Sequence, residues 1–390
     1  MKENRRCDYD VIIAGAGPAG GVLAYELASQ GLEVLVLEKE KLPRYKPCGG
    51  GLTMKAAKLI GFDVSEVYDR SMADAIMSYR NKDEIIFKGN KPMGWMVMRD
   101  KLDYAILQRA IIAGAKVIDT TPVMDVKDYD GAGLVKVLTK DEEYRAQILV
   151  GADGVNSTVS NSVGLRKRKR IGVALAGEIF VDDQAMSRQD YAQFDFGNVP
   201  KGYAWIFPKK NHLSIGVFSS EPKVPKLKSI LMDFIKMHEN LSGYKELRTA
   251  GHLIPLGGID ETLHQGRVLL LGDAGGLVDP FWGEGIYYAL ESAKIASEVI
   301  VGALTVGDID LRLYTEKVLQ EIVPDFRYAR IFAQIFYAFP WLSFKLIVEN
   351  QSVSNLMTSI LRGDLTYKGY TKILTKNIFR IIAGKPINNP

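Results

Sequence analysis

Asp10-Val11-Ile12-Ile13-Ala14-Gly15-Ala16-Gly17-Pro18-Ala19-Gly20 is a short apolar run that breaks into a glycine turn. A strand over 10–14, a turn over 15–20 and helical spacing over 21–30 make the opening of a βαβ unit. Gly31 stops the helix, and Glu33 to Leu37 reads as a second strand closing on Glu38. A unit of this length calls for parallel pairing with a right-handed crossover. Gly15 permits the tight turn, Gly17 lets the backbone approach a pyrophosphate, and Gly20 lets helix pack on strand. Ala16, Pro18 and Ala19 complete a loop whose free N–H groups and helix dipole favour phosphate. Glu38 stands 18 residues beyond Gly20, with Lys39 beside it, and can accept hydrogen bonds from a ribose diol. An isolated glycine triplet could be a plain turn; strand, helix and acidic residue together argue for a dinucleotide.

Working outward, 100–113 reads as a helix, 115–119 as a strand, and 134–139 with 143–150 as an antiparallel hairpin. The hairpin leads into Val150-Gly151-Ala152-Asp153-Gly154, an acidic residue beside a flexible turn. From 171 to 218 the pattern is β, with aromatic strands and short turns. Arg267 to Leu271 is again a strand, followed by Gly272-Asp273-Ala274 and a glycine-rich run to Gly285. After about 302 the pattern is helical to the end.

In this order, these fingerprints resemble the FAD-dependent group related to aromatic hydroxylases. The resemblance implies FAD, with Asp273 on the ribityl chain, Asp153 and Gly154 near the pyrophosphate, and Arg99 as a cofactor contact before the long helix. For Arg99 a surface salt bridge is the competing reading. A finer resemblance is to the geranylgeranyl reductase family. It is carried by Arg44-Tyr45-Lys46-Pro47-Cys48-Gly49-Gly50-Gly51-Leu52, by Gly202-Tyr203-Ala204-Trp205-Ile206-Phe207-Pro208-Lys209, and by Asp279-Pro280-Phe281-Trp282-Gly283-Glu284-Gly285-Ile286. It extends from Asp10 to about Ala296. That likeness implies a flavin bordered by Cys48, Gly49, Gly50, Gly272, Gly283, Gly285 and Ile286. It also implies a substrate channel walled by Tyr203, Trp205, Phe207, Pro280, Phe281 and Trp282, with Cys48, Tyr203 and Trp205 as the candidate catalytic residues.

Each of these has a bland alternative. Tyr203, Trp205 and Phe207 alternate, so on a strand they share one face, and such stripes commonly belong to a core. A polyprenyl chain, however, needs an apolar aromatic channel. Cys48 could be a small buried hydrophobe, although three following glycines suit close approach to a flat ring.

The expected fold is α/β (α+β overall): a Rossmann-type FAD-binding domain with an inserted antiparallel β-sheet substrate domain and C-terminal helices. If the separated glycine landmarks serve one cofactor, that domain is discontinuous, built from 1–75, 95–165 and 262–302. The substrate domain would then be 76–94 and 166–261, and the helical region 303–390.

The chain has 390 residues, 47% of them apolar, which is ample for a buried core. A net charge of +4 gives no footprint for nucleic acid. Two cysteines, Cys7 and Cys48, exclude a disulfide framework and fit a reducing cytoplasm. The four histidines lack metal-ligand spacing, so no metal is expected. The greasy stretch 331–348 is broken by Pro340 and carries Lys345, so it is a core helix or a lipid-facing surface rather than a span. The run Arg166-Lys167-Arg168-Lys169-Arg170 reads as a solvated face, or as a contact for anionic headgroups. The expected localisation is cytoplasmic, with peripheral membrane contact left open.

The resemblance implies saturation of isolated double bonds in geranylgeranyl chains on membrane lipid precursors. The electron donor, NAD(P)H or ferredoxin, is left open because no second dinucleotide fingerprint is evident. Two rivals use the same residues: an FAD-dependent monooxygenase or halogenase, and a flavin- or lipid-binding protein without turnover.

Overall fold

A computed structural model describes residues 7–387, apart from 89–90, 131–132, 168–169, 183–185, 187–190, 239–240, 242, 259 and 384. Its central sheet runs, edge to edge, through His264–Gln265, Val268–Leu270, Glu143–Gly151, Tyr9–Ala14, Val34–Leu37 and Lys116–Ile118. All neighbours from Val268–Leu270 to Lys116–Ile118 pair in parallel. The short strands Val135–Leu138 and Asp125–Lys127 extend Glu143–Gly151 as an antiparallel ribbon. In this register Ala14 lies opposite both Leu37 and Gly151, and Gly151 lies opposite Leu270. The three glycine segments therefore leave the carboxyl ends of neighbouring strands side by side, where ligands of open α/β sheets bind.

Helices Pro18–Ser29, Arg99–Ile112 and Ile286–Val306 pack over this sheet, burying Val22, Leu23, Leu27, Ile106, Leu290 and Ile300. Proline at the first turn of Pro18–Ser29 is placed where its missing N–H is harmless.

A second, seven-stranded sheet carries Glu246–Pro255, Ile171–Phe180, Leu213–Ser219, Gly202–Pro208, Ala192–Phe196, Ala75–Tyr79 and Lys82–Phe87 in that order. It departs from a purely antiparallel sheet at one place: Ala192–Phe196 pairs in parallel with Ala75–Tyr79, a strand from much earlier in the chain. A small sheet of Gly51–Thr53, Gly94–Val97 and Tyr68–Met72 lies at the site described below.

The C-terminal helices split the greasy stretch between two fates. Phe332, Phe336, Tyr337 and Phe344 are buried, with Phe336 on Phe196 at 5.0 Å and Phe332 on Phe281 at 4.7 Å. Phe339, Trp341 and Leu342 are exposed. Among the described residues no single helix is long and apolar enough to cross a membrane; Val323–Ala338 and Pro340–Val348 meet at 111°.

The basic run is not one solvated face. Arg166 is buried, donates to the carbonyl oxygen of Gly275 and stands 3.6 Å from Glu261. Lys167 and Arg170 are exposed, while Arg168 and Lys169 lie outside the described residues.

Candidate active site

The turn at Gly15 is fixed by its own packing. Gly15 has φ +105°, and a Cβ there would lie 2.4 Å from the Ala152 carbonyl oxygen. A Cβ on Gly20 would lie 1.9 Å from the Gly15 carbonyl oxygen. Gly17 is different: its Cβ would meet only the Arg44 guanidinium, at 3.7 Å. Among the described residues nothing else would meet a side chain at 17, so this glycine leaves room for a ligand to approach. Ala16, Pro18 and Ala19 are buried. Glu38 holds the turn from beneath, accepting from the Ala16 N–H at 2.8 Å and the Glu40 N–H at 3.1 Å.

Two cavities adjoin here. One, of about 490 Å³, is bordered by Gly15, Gly17, Glu38, Lys39, Asp153 and Thr158. The other, of about 230 Å³, runs past Cys48, Gly49, Gly50, Arg99 and Asp273 to an aromatic end. They share Gly17, Lys46, Pro47, Ala152, Gly154 and His252, so they form one elongated trough. Asp153 uses one oxygen on the Val159 N–H at 3.2 Å, while its buried Oδ1 has no partner among the described residues. Burial pushes its carboxyl up. An orphaned oxygen and an uncrowded glycine facing one trough are what a dinucleotide would complete, and the residues present fit FAD.

Charged groups gather in the middle of the trough. Arg99 is buried and makes a fork on Asp103, with both contacts at 2.8 Å. Arg44 reaches the same carboxylate at 3.0 Å, and Arg99 also hydrogen-bonds the side chain of Cys48. Burial alone would lower the Arg99 pKa, but Asp103 leaves it raised. Arg99 is therefore a buried, paired cation rather than a surface salt bridge. Asp273 has Lys46 at 3.7 Å and His252 at 3.8 Å. Burial pushes the Asp273 carboxyl up, yet Lys46, His252 and Arg99 together hold it down at about 2. Gly283, Glu284, Gly285 and Ile286 border the trough at the start of the helix Ile286–Val306, whereas Gly272 lies beneath, donating to Ser292 Oγ at 3.1 Å.

The far end is apolar. Tyr203, Trp205 and Phe207 point into the cavity together from the strand Gly202–Pro208, as their alternation requires. Phe194, Phe218, Met72, Met93 and Trp282 complete the wall, with Phe194 5.2 Å from Phe207 and 5.1 Å from Trp282. The Tyr203 hydroxyl donates to the Trp282 carbonyl oxygen at 2.5 Å, and burial pushes the phenol far up. The Trp205 Nε1–H is buried without a partner among the described residues. Cys48 Sγ accepts from the Gly50 N–H at 3.3 Å and borders the cavity.

Pro280 and Phe281 do not line the trough. Phe281 is fully buried behind it, stacked on Tyr337 at 5.3 Å. The structure also brings in Arg44, Lys46, Asp103, His252 and Glu284. Arg44, Lys46 and Glu284 lie inside the family-like motifs; Asp103 and His252 carry no signal of their own.

Comparison with known proteins gives the family. The sequence matches the family described as FAD binding domain over residues 8–213, and the one described as geranylgeranyl reductase catalytic domain over residues 177–252. The chloroplastic geranylgeranyl diphosphate reductase of Nicotiana tabacum is 32% identical, covering 84% of this chain and 74% of that protein. The digeranylgeranylglycerophospholipid reductase of Methanocaldococcus jannaschii is 27% identical over 97% of this chain and 96% of its own length. A geranylgeranyl bacteriochlorophyll reductase-like protein from Thermoplasma acidophilum superposes with a TM-score of 0.78 at 24% identity, over 96% of this chain and 98% of its own. Fold and site define an FAD-dependent oxidoreductase. The chain belongs to the geranylgeranyl reductase family.

Proposed function

We propose that this chain saturates isolated double bonds of geranylgeranyl chains carried on a membrane lipid precursor. The observation that carries the reading is the junction of an aromatic, apolar cavity with the Cys48–Gly50 loop in one trough. Reduced FAD, when bound, supplies the hydride chemistry. Gly15 to Gly20 would hold the pyrophosphate, with Asp153 and Gly154 beside it, Glu38 and Lys39 would take the adenosine end, and Asp273 the ribityl chain. Gly49, Gly50, Arg99, Gly283, Gly285 and Ile286 would border the flavin ring.

The protein's remaining tasks are to orient the alkene, exclude water and deliver a proton. Phe194, Trp205, Phe207 and Trp282 do the first two, since a dry apolar wall suits a prenyl chain and a developing tertiary cation. For the proton, Tyr203 is a poor source: its hydroxyl is spent on Trp282. Glu284 is committed too, to Thr53 Oγ1 at 2.6 Å and Lys55 at 2.8 Å. Cys48 borders the cavity, and its sulfur accepts from the Gly50 N–H, which leaves the thiol proton available for transfer; we assign Cys48 as the acid. Anaerobic incubation of the dithionite-reduced protein with a geranylgeranylated glycerolipid, followed by mass spectrometry, tests the reading. Masses rising by two hydrogens per alkene are expected; unchanged lipid beside reduced flavin would refute this substrate. NADPH and reduced ferredoxin, offered in turn to the oxidised protein, distinguish the donors.

The same reading gives the protein a membrane-facing side. Phe339 and Trp341 are 63% and 55% exposed, Phe379 and Ile382 85% and 62%, with Lys372, Lys376 and Arg380 exposed nearby. Aromatic apolar groups beside basic ones suit an anionic bilayer surface. Phe379→Ser with Trp341→Ser should lower co-sedimentation with anionic vesicles severalfold, and equal sedimentation would refute the assignment.

A further inference from the structure

Lys209 follows the aromatic strand Gly202–Pro208, and its side chain is 0% exposed. Its ammonium donates to the carbonyl oxygens of Gly49 at 2.7 Å, Val97 at 2.9 Å and Gly50 at 3.3 Å. An ammonium has three N–H donors, and three carbonyls meet them. The backbone at 209 is held as well: its N–H donates to the His212 carbonyl at 2.9 Å, and its carbonyl accepts from Arg70 Nε at 2.9 Å. Burying a cation costs several kcal/mol unless it is fully partnered. An apolar side chain would fill this space without that penalty. What the ammonium adds is the orientation of the peptide planes it binds.

Two of those planes belong to the Cys48 loop. Gly50 has φ +69°, and a Cβ there would lie 2.2 Å from the Lys209 Nζ and 2.2 Å from the Val97 carbonyl oxygen. A Cβ on Gly49 would lie 3.0 Å from the Phe207 ring and 3.4 Å from Trp205 Nε1. The loop is thus pinched between the ammonium and the aromatic wall. The Gly50 N–H in turn donates to Cys48 Sγ.

We propose that Lys209 is a positioning residue: by binding the carbonyls of Gly49 and Gly50 it clamps the Cys48 loop onto the aromatic strand and sets where the thiol stands in the trough. This rests on the reading that the loop borders the flavin. The clamp is also sensitive to alkali. Burial pulls the ammonium down to about 8, against Glu178, Cys48 and Asp69, which pull it up. The other charged or titratable groups at hand are Arg70, bonded to its carbonyl, and His212, 2.8 Å from Glu178. Loss of the proton removes one donor from the three carbonyls.

The test uses the full chain with Cys7→Ser, which leaves Cys48 as its one thiol. Alkylation by iodoacetamide and the visible flavin band are followed with and without FAD. Bound FAD should slow alkylation of Cys48 about tenfold or more, because thiol reactivity follows access. Absence of protection would overturn the flavin-border reading. Lys209→Met should raise the alkylation rate of the FAD-loaded protein about tenfold and shift the flavin band, with Lys209→Arg restoring part of both. An unchanged rate and band in Lys209→Met would overturn the clamp. Should that variant fail to fold, Lys209→Arg decides by the same two readouts: an alkylation rate and a flavin band both equal to the parent's overturn the proposal.

Discussion

The Tyr203 hydroxyl donates to the carbonyl oxygen of Trp282, tying the aromatic strand of one sheet to the glycine segment that opens the helix Ile286–Val306. Tyr203 and Trp282 are far apart in sequence and both border the trough, so this bond links two of its walls. A tyrosine holding a backbone carbonyl has a structural task, and its effect on chemistry should be indirect.

Tyr203→Phe should therefore cost stability more than rate. The buried Trp282 carbonyl loses its donor, a penalty of about 1–3 kcal/mol. Alkene reduction should stay within about tenfold of the parent, well short of the 10²–10⁴ that a lost general acid removes. Thermal unfolding and single-turnover reduction, measured on the same preparation, check both halves.

Cys48→Ala should reverse that balance. The sulfur accepts from the Gly50 N–H at 3.3 Å and from the Arg99 side chain, and without it Arg99 keeps its fork on Asp103. FAD should bind with little change, while reduction of the alkene falls by about 10²-fold or more. A deuterium-labelled solvent gives the complementary readout, because the residual reaction must take its proton from another source. Unchanged turnover with FAD bound would remove Cys48 as the acid.

Legibility in the sequence followed locality. The turn from Gly15 to Gly20 and the stripe Tyr203, Trp205, Phe207 declare themselves within one element, because turn geometry and strand alternation are local rules. The charged centre does not. Arg44 and Lys46 sit in an irregular loop and Asp103 on a helix face, and each acquires its meaning from a partner brought by the fold. Phe281 shows a second limit. It adjoins Trp282, yet the tight turn in which Asp279 accepts from both their N–H groups sends the two rings to different surroundings. Trp282 enters the trough, and Phe281 joins the C-terminal aromatics. That the second sheet takes in Ala75–Tyr79 as a parallel neighbour likewise depends on distant pairing that no local period encodes.

Asp279 yields a pH prediction. Its carboxyl is buried, and burial pushes it up from 3.8 to about 6, aided by Glu284 and opposed by Lys55. Between about pH 4 and 6 the folded chain keeps a proton that the unfolded chain has lost, so this group lowers stability as pH rises through that window. Asp279→Asn keeps an acceptor for the Phe281 and Trp282 N–H groups and carries no charge. It should stabilise the protein by about 1–3 kcal/mol at pH 8 and by nothing below pH 4. Denaturant unfolding at both pH values measures the difference; a gain independent of pH would mean the charge is not the cause.

Gly17 and Gly20 lie in one turn but answer to different neighbours, and alanine separates them. At Gly20 a methyl group would meet the Gly15 carbonyl oxygen at 1.9 Å and the Ile13 side chain at 3.2 Å, so the strand, turn and helix cannot all keep their places. Gly20→Ala should lower the melting temperature with or without FAD, in line with overpacking costs of about 1–3 kcal/mol or more. At Gly17 the backbone is in an ordinary extended conformation, with φ −78°, and a methyl group meets only the tip of Arg44 at 3.7 Å. Gly17→Ala should leave the melting temperature of the FAD-free protein unchanged and weaken FAD binding by about 10- to 100-fold, since the methyl occupies the space through which the pyrophosphate approaches. Melting curves of the stripped proteins and FAD titrations by fluorescence give both quantities. Equal FAD affinity in Gly17→Ala would move the pyrophosphate away from this turn.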